Sequence, residues 1–473
     1  MTSQNKNWLV VDLDYSLVKT DLFIEQILRA LLTRPWMFVK MLFASGFNIA
    51  RLKHLIARRM EISYQNLPYN QTVLDKIASA KMSGSKILLA TAASEIHAKQ
   101  VCDHLGLFDA YIASDSEVNL KGERKRDRIE SFLEGDGFDF IADSQSEIPV
   151  FKKAKKSFLV NPSRKLLKTC KSASIDYEIL DSSRTSFWSY DSKFLRPYQW
   201  AKNIVFFLPG VTGLGLYDLK NLWLVGPTFT VMCLLASFVY IMNDIADVES
   251  DRRHSDKKNR CFASGKASIE FGFFTAIALL LLAVLILFFW QPPTLCYFLA
   301  YFFLTVAYTM HLKEIAILDI FILVSFYLLR ILIGVETLGV PYSTWFFSFC
   351  FLLFSNLAFL KRYIEVNKDS NGKNIRRKYD ASDREFLRIC GIGSIFASIV
   401  ILLIYAKSSE FSDFYRDKDL FSLICFPYAL LMLRMWYLGS RNLMDSDPLV
   451  YTIRSPLSYI AVIASCMILF YSR

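Results

Sequence analysis

Residues 221–242 (NLWLVGPTFTVMCLLASFVYIM) carry no charge and run straight into Asn243-Asp244-Ile245-Ala246-Asp247-Val248-Glu249-Ser250-Asp251. An apolar run of about 20 residues is long enough to cross a bilayer as a helix, so this junction confines the chain to the membrane proteins. At helical spacing Asn243, Asp247 and Asp251 fall at i, i+4 and i+8 and share a face. Carboxylates gathered with Asp244 at the mouth of a membrane helix are costly unless a cation lies among them. Mg²⁺ meets that need, because it binds through a few carboxylates and completes its shell with substrate phosphates. The expected metal residues here are Asp244, Asp247 and Asp251, with Asn243 beside them; a solvated helix end is the alternative.

The length criterion gives about nine spans, near 203–217, 221–243, 269–290, 293–310, 315–338, 343–362, 386–406, 419–438 and 453–471. The first is interrupted by Pro209, Gly210, Gly213 and Gly215. Basic residues crowd the loop after the second span (Arg252, Arg253, Lys257, Lys258, Arg260, Lys266) and the loop after the sixth (Lys361, Arg362, Lys368, Lys373, Arg376, Arg377, Lys378, Arg384). The opposite side holds only Lys220, Lys407, Arg416 and Lys418. The positive-inside rule then places the even-numbered loops and the N-terminal domain in the cytoplasm, in a multi-pass protein of the inner membrane. No signal peptide is expected before Asp12, since the apolar run 8–11 is too short. The net charge of +11 follows from this asymmetry and makes no case for nucleic acid. The nine cysteines form no CxxC pair and read as small apolar filler.

Residues 1–170 have a different character. Trp8–Asp14 is a short apolar run ending in Asp12 and Asp14, the pattern of a buried strand that delivers carboxylates at its C-terminal end, where open α/β sheets place ligands. A second such run, 87–90, ends in Thr91, and a third, 138–141, is followed by Asp143, with Glu147 four residues on. Asp12-x-Asp14, Thr91, a lysine at Lys121 or Lys125, and Asp143, in that order, resemble the motifs of the haloacid dehalogenase (HAD) superfamily. The resemblance implies a Rossmann-like α/β fold with a helical cap over about 20–80. It also implies Asp12 as nucleophile to a phosphoryl group, Asp14 as general acid/base, Thr91 and the lysine on phosphoryl oxygens, and Asp143 on Mg²⁺. Ala142 stands where the family has Gly, and Glu147 where it often has Asp; a working phosphatase and a regulatory domain both stay open. The stretch 29–60 mixes large apolar residues with Arg and Lys, which suits either an interfacial helix or an ordinary cap packed on its own core. A polar connector, 171–192, follows.

Residues 193–473 are expected to form an all-α polytopic membrane domain. Their acidic segment resembles the first aspartate-rich motif of the UbiA-type prenyltransferase superfamily. The loop after span four reads Tyr308-Thr-Met-His-Leu-Lys313-Glu-Ile-Ala-Ile-Leu-Asp319, with one Asp where most members have two. That departure, with Arg196-Pro197-Tyr198-Gln199-Trp200-Ala201-Lys202-Asn203, Arg330…Gly334 and Lys361-Arg362-Tyr363, is similar to the decaprenyl-phosphate phosphoribosyltransferase branch. The branch implies transfer of 5-phosphoribose from phosphoribosyl diphosphate (PRPP) to a polyprenyl phosphate with Mg²⁺. PRPP carries a diphosphate and a separate 5-phosphate, so cations are needed besides the metal, and Lys202, Lys313, Arg330, Lys361 and Arg362 supply them. Asn203, Asn243, Tyr308 and Asp319 complete the expected substrate set, Asp319 as a metal ligand or a partner of Arg330.

Two other functions compete. Prenyl transfer from a polyprenyl diphosphate to an aromatic or other acceptor uses the same superfamily scaffold, and the single Asp of the second loop argues against it. A transporter or scaffold is disfavoured by the confinement of charge to cytoplasmic loops. Chain length of the lipid and oligomeric state leave no mark in the sequence.

Overall fold

The computed structural model describes residues 7–182, 192–213, 222–254, 257–290, 294–310, 312–368, 379–408, 415–444, 448, 451–452 and 455–472. Residues 183–191 of the connector, with all but the first residue of its Ser-Ser-Arg-Thr-Ser run, and the loop cations Lys220, Lys373, Arg376, Arg377 and Lys378 lie outside the described residues. By its contacts the chain divides into two compact units: residues 1–195 with 240–277, and residues 196–239 with 278–473. The expected division at 170 and 193 thus differs from the observed one, because the acidic segment and the loop after it pack with the N-terminal domain.

The first unit is built on six parallel strands, β1 (Trp8–Val11), β2 (Lys86–Ser94), β3 (Ala110–Ser114), β4 (Phe138–Ala142), β5 (Ser157–Val160) and β6 (Tyr177–Asp181), in the order β3-β2-β1-β4-β5-β6. The pleat sends alternate residues to opposite faces. Leu9, Val11, Ile87, Leu89 and Ile141 enter one core, while Val10, Leu88, Ala90, Phe140 and Ala142 enter the other. Both faces are therefore apolar and both need cover, which is the condition for a doubly wound sheet. Helices α1 (Leu22–Thr33), α2 (Pro35–Ala44), α3 (Ile49–Arg59) and α4 (Gln71–Met82) lie between β1 and β2. Three of them start on side-chain caps: Asp21 accepts from the Ile24 N–H, Asn48 from Ala50 and Arg51, and Asn70 from Thr72, each cap satisfying an end donor of its helix. Ala30, Met41, Leu52, Ile56 and Met60 give α1–α3 a small core of their own. Helices α5 (Glu95–Leu105), α6 (Glu123–Leu133), α7 (Ile148–Phe151) and α8 (Arg164–Ser172) complete the α/β body.

The remaining helices are α9 (Leu208–Gly213), α10 (Leu222–Ala246), α11 (Val248–Arg253), α12 (Ile269–Trp290), α13 (Leu295–Met310), α14 (Leu318–Leu338), α15 (Thr344–Lys368), α16 (Asp383–Tyr405), α17 (Lys418–Ser422), α18 (Cys425–Ser440) and α19 (Pro456–Tyr471). Among the described residues six helical segments are long and apolar enough to cross a membrane: those starting at Trp223, Ile269, Leu318, Thr344, Asp383 and Lys418. Helices α13 and α19, at 16 residues each, are shorter apolar helices. The chain is a multi-pass membrane protein, with six such spans rather than about nine described. The expected first span, 203–217, is not one α-helix. Among the described residues, Pro197–Phe207 form a 3₁₀ helix and Leu208–Gly213 an α-helix. The 3₁₀ stretch lies hard against α14: a Cβ on Gly334 would come within 2.2 Å of the Phe206 carbonyl oxygen. Gly334 is what lets the two backbones approach. The core of this unit is drawn from α14, α15, α16 and α18, with Ile331, Phe354, Leu360, Ile395, Met435 and Trp436 among its buried residues.

Candidate functional site

In the α/β unit, parallel pairing sets Val11 beside Leu89 and Ile141. The residues that follow at the C-terminal ends, Asp12, Thr91 and Asp143, therefore come to one edge of the sheet, where ligands of open α/β sheets bind. Asp12 is nearly buried and accepts from the Leu13 N–H at 2.9 Å. Thr91 is fully buried, its hydroxyl oxygen accepting from the Ala93 N–H. Asp14 accepts from the Leu22 N–H at 3.1 Å, at the start of α1. Lys125, not Lys121, is the lysine that meets the aspartates' strand: its Nζ lies 2.9 Å from Asp12 and 3.1 Å from Glu147, in full burial, whereas Lys121 is exposed. Burial opposes the Lys125 charge, but Asp12 and Glu147 outweigh it and hold the ammonium above its ordinary pKa. Asp14 is pushed well above the usual carboxylate range, chiefly by burial and then by Asp21. An acid raised in this way keeps its proton closer to neutral pH, as a general acid must. Lys53 of α3, which the sequence did not single out, reaches down from the cap. Its Nζ donates to the Ala92 carbonyl at 2.6 Å and to Asn119 Oδ1 at 3.0 Å. Burial lowers its pKa against the pull of Asp14 and Asp21.

The acidic segment belongs to the same unit. Helix α10 ends at Ala246, Asp247 caps α11 in a non-helical conformation, and yet the Asp247 N–H donates to the Asn243 carbonyl and the Asp251 N–H to that of Asp247, both at 2.9 Å. The i to i−4 ladder thus bridges the break and keeps the expected stripe on one side. Asp244 and Asp251, both buried, converge on a single atom, Arg260 Nη1, at 3.2 and 2.6 Å. Two hard oxygens aimed at one cationic point fit an ion that takes only a few protein carboxylates and fills its shell from water and phosphate. Among the described residues no three His, Cys, Asp or Glu side chains gather in ligating geometry, so such an ion would draw its remaining ligands from outside this set. Burial raises the Asp251 carboxyl, with Arg260 drawing it back. Arg260 escaped sequence reasoning because it stands in a run of loop cations, Lys257-Lys258-Asn259-Arg260, whose charge topology alone explains.

This loop is anchored to the α/β body. Arg252 Nη1 and Nη2 donate to the two Glu25 oxygens of α1, each at 2.8 Å. The Ser63 N–H donates to Glu249 at 2.9 Å, and the Tyr15 hydroxyl, next to Asp14, to Glu270. Gly265, at φ +68°, brings its backbone onto Lys19, where a Cβ would approach to 2.6 Å.

In the transmembrane unit, Lys202 and Asn203 are buried on the 3₁₀ segment. Asn203 Oδ1 accepts from Arg330 Nε at 3.0 Å, while Arg330 Nη1 donates to the Phe326 carbonyl and Nη2 to the Tyr301 hydroxyl, both at 2.8 Å. Asp319 does not meet Arg330. Fully buried, it accepts from Arg362 Nε at 2.5 Å and from the Tyr379 hydroxyl at 2.7 Å. Arg362 also donates to Glu365 at 2.6 Å and to the Tyr308 hydroxyl at 3.3 Å. Tyr379 in turn accepts from the Ile317 N–H at 2.6 Å and so holds Ile317 at φ +68°, a conformation rare for a β-branched residue. Lys313 and Lys361 are half-buried.

Residues 203–438 match the UbiA prenyltransferase family. A Sinorhizobium fredii protein, y4nM, itself uncharacterized, is 30% identical over 98% of this chain and 90% of its own. The decaprenyl-phosphate phosphoribosyltransferase of Mycolicibacterium smegmatis is 30% identical over 51% of this chain and 79% of its own. A solved UbiA homolog from Archaeoglobus fulgidus, bound to GPP and Mg²⁺, is similar over 59% of this chain and 97% of its own, at 15% identity and a TM-score of 0.44. By the family match over 203–438 and the similarity to the Mycolicibacterium smegmatis enzyme, the chain belongs to the UbiA prenyltransferase family.

Proposed function

We propose that this membrane transferase moves 5-phosphoribose from PRPP to a polyprenyl phosphate. The observation that carries the reading is the engagement of Asp319. Its carboxylate, that of the lone aspartate of the second loop, is taken up by Arg362 and Tyr379. The acidic segment 243–251 is then read as the one that holds a diphosphate through a metal, and the cations of the transmembrane unit as the site of a second anionic group. A prenyl diphosphate has no second phosphate site; PRPP has. The name of the mycobacterial relative points the same way.

In this scheme Asp244, Asp247 and Asp251, with Asn243 beside them, would hold Mg²⁺, which would offset charge on the departing diphosphate. Lys202, Lys313, Lys361 and Arg362 bind phosphate oxygens, with Arg330, Asn203 and Tyr308 fixing their positions. The acceptor is already an anion near neutral pH, so no side chain need remove its proton. Membranes given labelled PRPP and a polyprenyl phosphate should form a labelled lipid only with Mg²⁺ present. Label entering from a polyprenyl diphosphate and an aromatic acceptor, and none from PRPP, would replace this reading with prenyl transfer.

The α/β unit is read as a phosphohydrolase of the HAD type in the cytoplasm. Asp12 attacks the phosphorus, Asp14 protonates the leaving oxygen, and Thr91 and Lys125 bind phosphoryl oxygens. Asp143 would hold Mg²⁺, with Glu147 bonded to Lys125. The transferase product would carry a 5-phosphate ester, a substrate of the right class, and fusion raises the concentration of one activity near the other's product.

A further inference from the structure

Helix α2 reads Pro-Trp-Met-Phe-Val-Lys-Met-Leu-Phe-Ala and buries only Met41. Trp36 is 80% exposed, Phe43 68%, Phe47 66% and Ile49 57%. Trp36, Val39, Phe43 and Phe47 follow one another at three- and four-residue steps, so they form one stripe down α2 and around the turn into α3. The rings of Phe43 and Phe47 meet edge to face, with centroids 5.9 Å apart. Contiguous exposed apolar surface of this kind marks an interaction site in a folded domain.

Charge identifies the partner. Between Glu25 and Glu61 the chain contains no acidic residue. Arg34, Lys40, Arg51, Arg58 and Arg59 are all exposed around the aromatic stripe. A stripe of Trp and Phe bordered by cations alone matches the boundary between anionic headgroups and acyl chains, where aromatic rings sit at headgroup depth and each basic residue adds attraction. A soluble partner would find mostly greasy rings with few polar groups to pair. The bilayer is also the surface this unit is never far from, since residues 240–246 of α10 and 269–277 of α12, the ends of two membrane-crossing helices, belong to it.

We infer that the α2–α3 hairpin is a bilayer-binding surface, with Trp36, Phe43 and Phe47 entering the interface and the flanking arginines and lysine contacting anionic lipid headgroups. The inference goes beyond the transfer reaction and does not depend on the donor. It gives the hairpin a second duty, because α3 also carries Lys53, bonded over the Asp12 edge of the sheet. A cap seated on the bilayer keeps that edge within reach of lipid-linked phosphate esters.

The test uses the full chain, reconstituted in vesicles of phosphatidylcholine with phosphatidylglycerol. Benzoylphenylalanine replaces Phe43 in one protein and Met82, an exposed apolar residue at the end of α4, in the other. After irradiation, mass spectrometry identifies what is captured. Position 43 should yield lipid adducts enriched in phosphatidylglycerol, and position 82 should yield none. Lys40→Gln should lower the adduct yield at 43 by up to about fivefold, the value of one cation near an anionic surface. Equal lipid capture at both positions, no lipid capture at 43, or capture at 43 of peptides from a second copy would each overturn the inference.

Discussion

Glu25 and Arg252 form a doubly bonded ion pair, 2.8 Å at each oxygen, with both side chains excluded from solvent. It ties α1 of the α/β body to α11, the helix that carries Asp251. Removing one member leaves a buried charge without its partner, which costs about 3–5 kcal/mol, whereas removing both costs much less. Glu25→Gln should therefore lower the melting temperature of the α/β unit sharply, and Glu25→Leu combined with Arg252→Met should recover much of the loss. Additive losses in that double-mutant cycle would show that the two side chains do not act as a pair.

Asp251→Asn removes one of the two carboxylates that converge on Arg260. If they hold Mg²⁺, several kcal/mol of transition-state stabilisation is at stake, and turnover should fall on the order of a thousandfold in protein that still folds. Transfer at the wild-type rate, measured over a Mg²⁺ titration, would remove the segment from the chemistry.

Gly334→Ala should act at a distance from any phosphate. Its Cβ would meet the Phe206 carbonyl, which cannot swing aside as a side chain does, so the 3₁₀ segment bearing Lys202 and Asn203 must shift. Lys202→Ala should raise KM for PRPP with little change in kcat, the signature of binding lost equally from ground and transition states. Gly334→Ala should show the same rise with a lower melting temperature. A kcat defect alone in either variant would argue against a donor-binding role for this segment.

Asp12→Asn separates the two proposed activities. The variant should transfer from PRPP normally yet accumulate lipid that retains its 5-phosphate, readable by mass spectrometry of the extracted lipid. Identical products from variant and wild type would leave the α/β unit without this substrate.

His97 reports on pH. Its Nδ1 meets the Tyr64 hydroxyl at 2.8 Å and its Nε2 the Gln26 side-chain oxygen at 2.9 Å, in near-complete burial. Burial pushes its pKa down to about 4 from the ordinary 6.5. The unfolded chain then binds the proton first, so stability is fully present above pH 6.5 and is lost as pH falls toward 4. The stability advantage of wild type over His97→Gln should shrink across that window, by about 3 kcal/mol at the acid end. An advantage independent of pH from 7 to 4 would mean that folding does not shift the titration of this imidazole.

What the sequence disclosed and what it hid divide along physical lines. Strand ends carrying Asp12, Thr91 and Asp143 were legible because short apolar runs bounded by acids have few other uses. The acidic stripe was legible because carboxylates beside an apolar run demand explanation. Lys125 and Lys121 could not be told apart, since the choice depends on where α6 starts and which of its faces meets the sheet: Lys121 precedes the helix and Lys125 lies on its buried face. Glu25 and Arg252 were hidden for a similar reason: each is an ordinary charged residue in its own neighbourhood, and only the fold removes both from water. The close seating of Pro197–Phe207 was hidden too, because it depends on Gly334, far along the chain.

The Glu25–Arg252 pair spans 227 residues of sequence, and that distance is also a time. At roughly 5–20 residues per second of synthesis, the ribosome needs about ten to forty-five seconds to supply the arginine after the glutamate has emerged. From the completion of β6 at Asp181 to the end of that interval the α/β body has every strand it needs but carries an acid that still lacks its arginine. Completion waits for α10 to be threaded and its following loop released. The N-terminal domain, first to be started, is therefore finished only when the chain is more than half made.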